Sequence, residues 1–221
     1  MAKDKCVLAY SGGLDTSVCI KWLQDEKNLD VIAVVGEVGQ EHEGLEQVKQ
    51  RALETGAIDC IIADMREDFA ADYLSKALYA NANFENKYPL VSALSRPLIS
   101  KYLVDTAHKF GAKYVAHGCT GKGNDQVRFE TSIQALDPTL EIIAPEWDMH
   151  TRQEEMDWAE AHGVTVPTTK SKPYSIDDNL WGRAIECGVL EDPMNRPPLD
   201  IYTMTTDPEK APEEATEIEV E

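Results

Sequence analysis

Several things are missing from this 221-residue chain, and each omission narrows its function. No apolar run approaches the roughly 20 residues that a membrane-crossing helix needs, so no membrane partner is expected. The five cysteines, Cys6, Cys19, Cys60, Cys119 and Cys187, form no Cys-x-x-Cys pair and are odd in number. That pattern argues against a structural zinc or iron–sulfur site and fits a reducing, cytoplasmic compartment. The histidines, His42, His108, His117, His150 and His162, show no metal-ligand spacing and read as surface or core residues, so no metal ligands are assigned. Basic residues are scarce: 21 Lys and Arg stand against 40 Asp and Glu, for a net charge of −19. Without a dense Lys/Arg cluster, that field repels nucleic acid and anionic membrane alike. Neither a Walker A loop nor the Gly-x-Gly-x-x-Gly of dinucleotide folds occurs, and no internal repeat is evident. Met1 to Lys5 leads directly into an apolar strand, so no signal peptide is expected.

What the chain does have is 43% hydrophobic residues, enough for a globular core, and a distinctive first stretch. Cys6 to Tyr10 reads as a short buried strand. Ser11-Gly12-Gly13-Leu14-Asp15-Thr16-Ser17 follows, and a helix begins at once, with Leu14, Val18 and Trp22 four apart. A helix amino end offers unpaired N–H groups and the positive end of its dipole, which together suit an anion. Glycines let backbone approach a phosphate, and Ser11, Thr16 and Ser17 add hydroxyls. The stretch is read as a pyrophosphate cradle. It resembles the loop of the ATP pyrophosphatases (PP-loop enzymes), which implies AMP-forming chemistry.

Strands and amphipathic helices then alternate, which predicts an α/β fold with a parallel sheet covered on both faces. Asp30 to Val35 is a β-branched strand ending at Gly36. Ligands in such sheets bind beyond the carboxyl ends of strands, but position alone does not separate a nucleotide border at Gly36 from a plain loop. A helix is expected over about Glu43 to Glu54, with Leu45, Val48, Ala52 and Leu53 inward. A strand from Ile58 to Ala63 comes next, then a helix carrying Phe69, Tyr73, Ala77 and Ala80. In Tyr88-Pro89-Leu90-Val91-Ser92-Ala93-Leu94-Ser95-Arg96-Pro97, Ser92 or Ser95 suits a helix cap and Pro97 a first turn; Tyr88 and the serines are also possible substrate contacts. That helix runs to about Phe110.

The strand Ala112 to His117 opens a second glycine loop, Gly118-Cys119-Thr120-Gly121-Lys122-Gly123-Asn124-Asp125. Asn124 suits the cap of a helix over Asp125 to Leu136, with Phe129, Ile133 and Leu136 buried. Asp125 and Arg128 share a helix face. Together they suit the two ends of a small zwitterion, the acid taking an ammonium and the guanidinium a carboxylate; a surface ion pair is the alternative. A strand at Leu140 to Ile143 and a helix from Thr151 to about His162 complete the first domain, 1–165, with Trp147 and Trp158 as packing residues. Thr168 to Pro173 reads as a linker into residues 166–221. There Asp177 to Glu186 suits a helix, Asp207 to Glu221 a solvated acidic tail, and Glu217 to Glu221 alternatively the beginning of a strand.

Ala9 to Ser17 and Ala116 to Glu130 together resemble the two signature segments of the argininosuccinate synthases, and the resemblance continues through Lys172-Pro173-Tyr174-Ser175 and Leu190-Glu191-Asp192-Pro193. It implies a doubly wound parallel sheet of the HUP (adenine nucleotide alpha hydrolase-like) type, with the beginning of a second, incomplete domain. It implies an enzyme that adenylates the ureido oxygen of L-citrulline with ATP, releases pyrophosphate, and lets the L-aspartate amine displace AMP, with Mg²⁺ assisting. By resemblance, Ala9, Tyr10, Ser11, Gly12, Gly13, Leu14, Asp15, Thr16 and Ser17 hold ATP, bordered by Gly36 and Gly118. Thr120, Asn124 and Asp125 bind aspartate. Tyr88, Asn124, Arg128 and Ser175 contact citrulline, with Ser92 substituting for a family serine that is Ala93 here. A second family serine is Ala184. Asp15, Asp125 and Lys122 are the catalytic candidates. Family members run to about 400 residues, a size that implies two or more domains, so later citrulline contacts and the helix of the family homotetramer are expected beyond residue 221. Competing readings are a non-catalytic adenylate-binding module and another PP-loop amide-forming or thiolating enzyme. The tRNA-thiolating alternative is disfavoured by the missing Cys-x-x-Cys and the acidity.

Overall fold

A computed structural model describes residues 3–40, 44–119, 123–144, 152–164 and 174–220. Five parallel strands form the central sheet: β1 (Lys5–Ala9), β2 (Asp30–Glu37), β3 (Asp59–Asp64), β4 (Tyr114–Ala116) and β5 (Glu141–Ile143). Their order is β3-β2-β1-β4-β5, with Cys6 opposite Val31 on one side and Tyr114 on the other. The order reverses between β1 and β4, and such a switch point opens a crevice at the strands' carboxyl ends.

Side chains alternate across the sheet. Cys6, Leu8, Val31, Ala33 and Val35 pack with Cys19, Ile20 and Leu23 of α1 (Leu14–Glu26) and Ala52 of α2 (Leu45–Thr55). Val7, Ile32 and Val34 pack with Leu103, Val104 and Ala107 of α5 (Val91–Phe110), and with Phe129 and Ile133 of α6 (Asn124–Leu136). The sheet is therefore doubly wound, as expected. Helix α7 (Arg152–Ala161) places Ala159 against Leu14 and Val18 of α1. Trp22 joins the other core cluster, and Trp158 packs beside α1. Residues 145–150, with Trp147, and the linker at 168–173 lie outside the described residues.

The structure corrects several expectations. Leu53 and Leu136 are exposed, each at the last turn of its helix. The helix after β3 is broken into α3 (Arg66–Asp68), a π-helical turn (Phe69–Leu74) and α4 (Ser75–Tyr79). The π turn shifts the buried face by one residue, so Leu74 is buried, Tyr73 only partly so, and Ala80 is exposed. Helix α5 begins at Val91, six residues before Pro97, which sits inside it. Neither serine is its cap. Leu90, at φ +62°, turns the chain, and the Tyr88 hydroxyl accepts the Ser92 N–H at 3.2 Å. One orphan donor of the first turn is thereby satisfied, and Ser92 and Ser95 are buried. Gly123, not Asn124, is the cap of α6.

The largest correction concerns Asp177 to Glu186. It is an antiparallel hairpin of β6 (Ser175–Asn179) and β7 (Gly182–Glu186), with Asp177 opposite Ala184. The Asn179 side chain accepts the Trp181 N–H at 2.8 Å, and Gly182 takes φ +150°. Such an Asx-type bond favours a turn over a helix. The hairpin docks beyond the end of β2 and at the start of α5: Leu180 N–H donates to Val38 O at 2.9 Å, Asn179 Nδ2 to Val91 O at 2.8 Å, and Trp181 Nε1 to Pro89 O at 2.6 Å. Gly39 (φ +86°) leaves the space that Leu180 fills, since a Cβ there would lie 2.4 Å from Leu180 Cγ. Residues 211–220 are exposed and irregular, without the strand that Glu217 to Glu221 suggests.

Candidate active site

The first loop joins β1 to α1 at the centre of the sheet. Ala9 ends the strand, and Tyr10 N–H still donates to Val34 O at 2.9 Å. Gly12 is buried at φ +78°, and a Cβ there would meet Val48 Cγ1 at 2.8 Å. Its carbonyl accepts Arg51 Nη1 at 2.7 Å. Gly13 is the helix cap and has no side chain to satisfy the first-turn N–H groups, while Asp15 lies in that turn. The hydroxyls are paired among themselves. Ser11 Oγ lies 3.1 Å from Thr16 Oγ1, and Tyr10 Oη lies 3.1 Å from Ser17 Oγ. Ser17 is fully buried and Thr16 nearly so, so of the three candidate hydroxyls only that of Ser11 is exposed. Gly36, at the end of β2, would place a Cβ 3.2 Å from Met65 Cε, and its carbonyl accepts Gln40 Nε2 at 2.6 Å.

The second loop leaves the adjacent strand β4 and touches the first. A Cβ on Gly118 would lie 3.1 Å from Thr16 Cγ2, so glycine here permits the two loops to approach. Behind it, the fully buried His117 stacks on Phe129, with ring centroids 5.7 Å apart. His117 Nδ1 accepts the Cys119 N–H at 3.3 Å, which places the ring proton on Nε2, 3.6 Å from Glu130 Oε1. Burial pushes the His117 pKa down despite Glu130. Burial also pushes the Cys119 thiol up to about 12, so it stays protonated. Residues 120–122, with the candidates Thr120 and Lys122, lie outside the described residues.

At the start of α6, Asp125 and Arg128 do meet: Arg128 Nη1 donates to Asp125 Oδ1 at 2.5 Å. Asn124 is the first residue of that helix. The other Asp125 oxygen accepts Arg96 Nε at 2.7 Å, and Arg96 Nη2 donates to Asp177 Oδ2 at 2.6 Å. Arg96 is only 17% exposed. Burial alone would lower its pKa, but Asp177 and Asp125 outweigh burial and raise it. Burial likewise pushes the Asp177 carboxyl up, yet Arg96 and Ser92 hold it below its ordinary value. Ser175 is exposed at the start of β6, two residues before Asp177 and on the same face. Among the described residues no group of three or more His, Cys, Asp or Glu is placed to hold a metal ion, and no helix is long and apolar enough to cross a membrane.

Comparison with known proteins places the chain in a family. Residues 5–165 match the model of the arginosuccinate synthase N-terminal HUP domain. The chain belongs to the argininosuccinate synthase family. Residues 174–221 match the model of that family's C-terminal domain. The argininosuccinate synthases of Oceanobacillus iheyensis and Streptococcus uberis are each 57% identical over the whole chain, and that of Chlorobium phaeobacteroides is 53% identical. The chain covers 53%, 55% and 55% of those proteins, so it spans about half the length of the curated relatives it matches.

Within this argininosuccinate synthase frame, Arg96 and Asp177 join the candidate residues through Asp125, and the sequence reading singles out neither. Arg96 stood in the string Ser95-Arg96-Pro97, and a lone guanidinium between buried serines of one helix was the available signal. Asp177 gives none, because the pattern of its segment suits a helix. The hairpin also gives Ala184 a place, opposite Asp177 on the face that carries Ser175.

Proposed function

We propose that the chain supplies the nucleotide-binding domain (1–165) and the beginning of the second domain (166–221) of an ATP-dependent ligase. The ligase condenses L-citrulline with L-aspartate through citrullyl-AMP and releases AMP and pyrophosphate. One observation carries this reading: two glycine loops leave adjacent strands at the switch point and touch at Gly118 and Thr16, beside the Asp125–Arg128 pair. The Ala9 to Ser17 loop cradles the phosphates with its backbone N–H groups and Ser11, while Gly36 and Gly118 border the nucleoside. Asp125 accepts the aspartate ammonium, with Asn124 and Thr120 beside it. Arg128 holds a citrulline carboxylate, with Tyr88, Ser92 and Ser175 completing that side. Lys122 neutralises phosphate charge.

The reaction is mainly a matter of alignment. A ureido oxygen is a poor leaving group and AMP a good one, so the residues hold two substrates and ATP in line. Magnesium typically binds through one or two carboxylates and the substrate's phosphates, and Asp15 is the carboxylate beside the cradle that fits such a role. Bound there, the ion would offset phosphate charge. The net charge of −19 supports small-molecule partners over nucleic acid, and free cysteines support a cytoplasmic setting. The family homotetramer is checked by size-exclusion chromatography.

The test is incubation with ATP, citrulline and aspartate while AMP and pyrophosphate are measured. Citrulline-dependent ATP–pyrophosphate exchange is the expected first half-reaction. ATP binding with no response to citrulline or aspartate would replace this reading with an adenylate-binding module.

A further inference from the structure

Arg96 sits on the second turn of α5, where it touches both the start of α6 and strand β6. Its Nε and Nη2 both reach Asp125 Oδ2 at 2.7 Å, its Nη2 reaches Asp177 Oδ2 at 2.6 Å, and its Nη1 donates to Ser95 Oγ at 3.2 Å. Arg128 occupies the other Asp125 oxygen. The cluster holds two guanidiniums and two carboxylates and is neutral as a unit. Asp125, the proposed ammonium acceptor, is therefore oriented on both oxygens before any substrate arrives. A carboxylate has about four lone-pair sites, so these three contacts leave acceptor capacity for one ammonium hydrogen.

The planar guanidinium explains why arginine suits this position. It serves two carboxylates in fixed directions, which a lysine ammonium on a flexible stem does not. The second carboxylate belongs to the hairpin, whose Leu180 and Asn179 also dock on the first domain. Seating of the hairpin is therefore tied through one side chain to the orientation of Asp125.

We propose that Arg96 is a positioning residue that, anchored by Asp177 of the hairpin, sets Asp125 to recognise the ammonium of the incoming amino-acid substrate. The inference rests on the reading above that Asp125 takes the aspartate ammonium. Asp177 thus makes the hairpin a part of amine recognition without touching the amine. When the anchor is lost, Arg96 is no longer fixed in place, and Asp125 loses the set direction of its remaining acceptor site toward the ammonium.

The test compares L-aspartate with succinate, which has the same two carboxylates and no ammonium. Both are titrated by calorimetry into the ATP-saturated chain, with citrulline omitted so that no turnover occurs. Asp177→Asn is expected to reduce the preference for aspartate over succinate by about five- to tenfold. Asp177→Glu should restore most of it, and Arg96→Lys should reproduce the loss. A change that is only structural would weaken both ligands together. An unchanged preference in Asp177→Asn, or full preference in Arg96→Lys, would overturn the proposal alone. A wild-type chain with no preference for aspartate would overturn it together with the functional reading. Asp177 lies on the hairpin, outside the main sheet, so its variants remain informative if Arg96→Lys does not fold.

Discussion

The two glycine loops have the same layout, a parallel strand, a glycine turn and a helix amino end, yet they are held in different ways. The Tyr10 to Ser17 loop is held locally. Its hydroxyls pair with one another within seven residues, the Tyr10 N–H reaches Val34 O of the neighbouring strand, and Arg51 reaches its Gly12 carbonyl. The segment from His117 to Arg128 is held from a distance, by Arg96 from 29 positions before Asp125 and, through Arg96, by Asp177. A phosphate cradle needs only backbone N–H groups in the right curve, which a short closed network can fix. Recognition of an amino acid needs opposite charges at set separations, and long-range ion pairs supply those. The first loop is thus expected to respond to changes of backbone shape, and the second to changes of charge.

The largest effect expected is at the first loop. In Gly12→Val, a β-branched side chain must take a φ of +78° and overlap Val48. A left-handed residue costs about 1–2 kcal/mol, and the overlap adds to it. Differential scanning calorimetry should show a fall of roughly 5 °C or more, and ATP titration at least about a tenfold loss of affinity. Unchanged ATP affinity would show that the loop's shape does not govern nucleotide binding. Gly118→Ala should act less strongly. Its φ is ordinary and its Cβ would press Thr16 Cγ2 from 3.1 Å, an overpacking cost of about 1 kcal/mol that parts the two loops. Both nucleotide and amino-acid affinity should then fall by a few fold in calorimetry.

The second loop should also respond to pH through His117. Burial holds its folded-state pKa below the ordinary 6.5, so the folded chain binds fewer protons than the unfolded one. The associated stability is complete above about pH 6.5 and declines as pH falls toward the depressed value. His117→Gln should flatten that decline in urea melts between pH 7.5 and 5. Asp64 and Asp137, each with a pKa near about 2, contribute only at more acid pH. An identical pH slope in the variant would show that His117 is not buried in the neutral form. The smallest effect is expected from Trp181→Phe, which removes the donor to Pro89 O for about 1 kcal/mol. It should speed amide exchange in the hairpin while leaving β1 protected.

This contrast explains what was legible in the sequence. Strands β1 and β2 were readable because buried parallel strands are continuous apolar runs, and Gly12-Gly13 marks its own turn. The Asp125–Arg128 contact was readable because helical spacing places i and i+3 together. Arg96 was not, since nothing local announces a partner 29 or 81 residues away. The π turn at Phe69–Leu74 and the early beginning of α5 were missed for a related reason. Leu74 is buried against the α5 core, and Tyr88 takes over a capping role that sequence rules assign to serine. The hairpin was misread because Leu180-Trp181 lacks the glycine-rich turn signal. Its turn depends on the side chain of Asn179 and on the later Gly182.

The notch at Gly39 also carries an evolutionary consequence. Its φ of +86° and the 2.4 Å approach to Leu180 close position 39 to side chains, so a change tolerated at this junction falls on Leu180 rather than on Gly39. A smaller residue at 180 loosens the hairpin without blocking it, whereas a residue larger than glycine at 39 ejects it. The firmness with which the hairpin seats is therefore set by one apolar side chain, against a receptacle that glycine fixes.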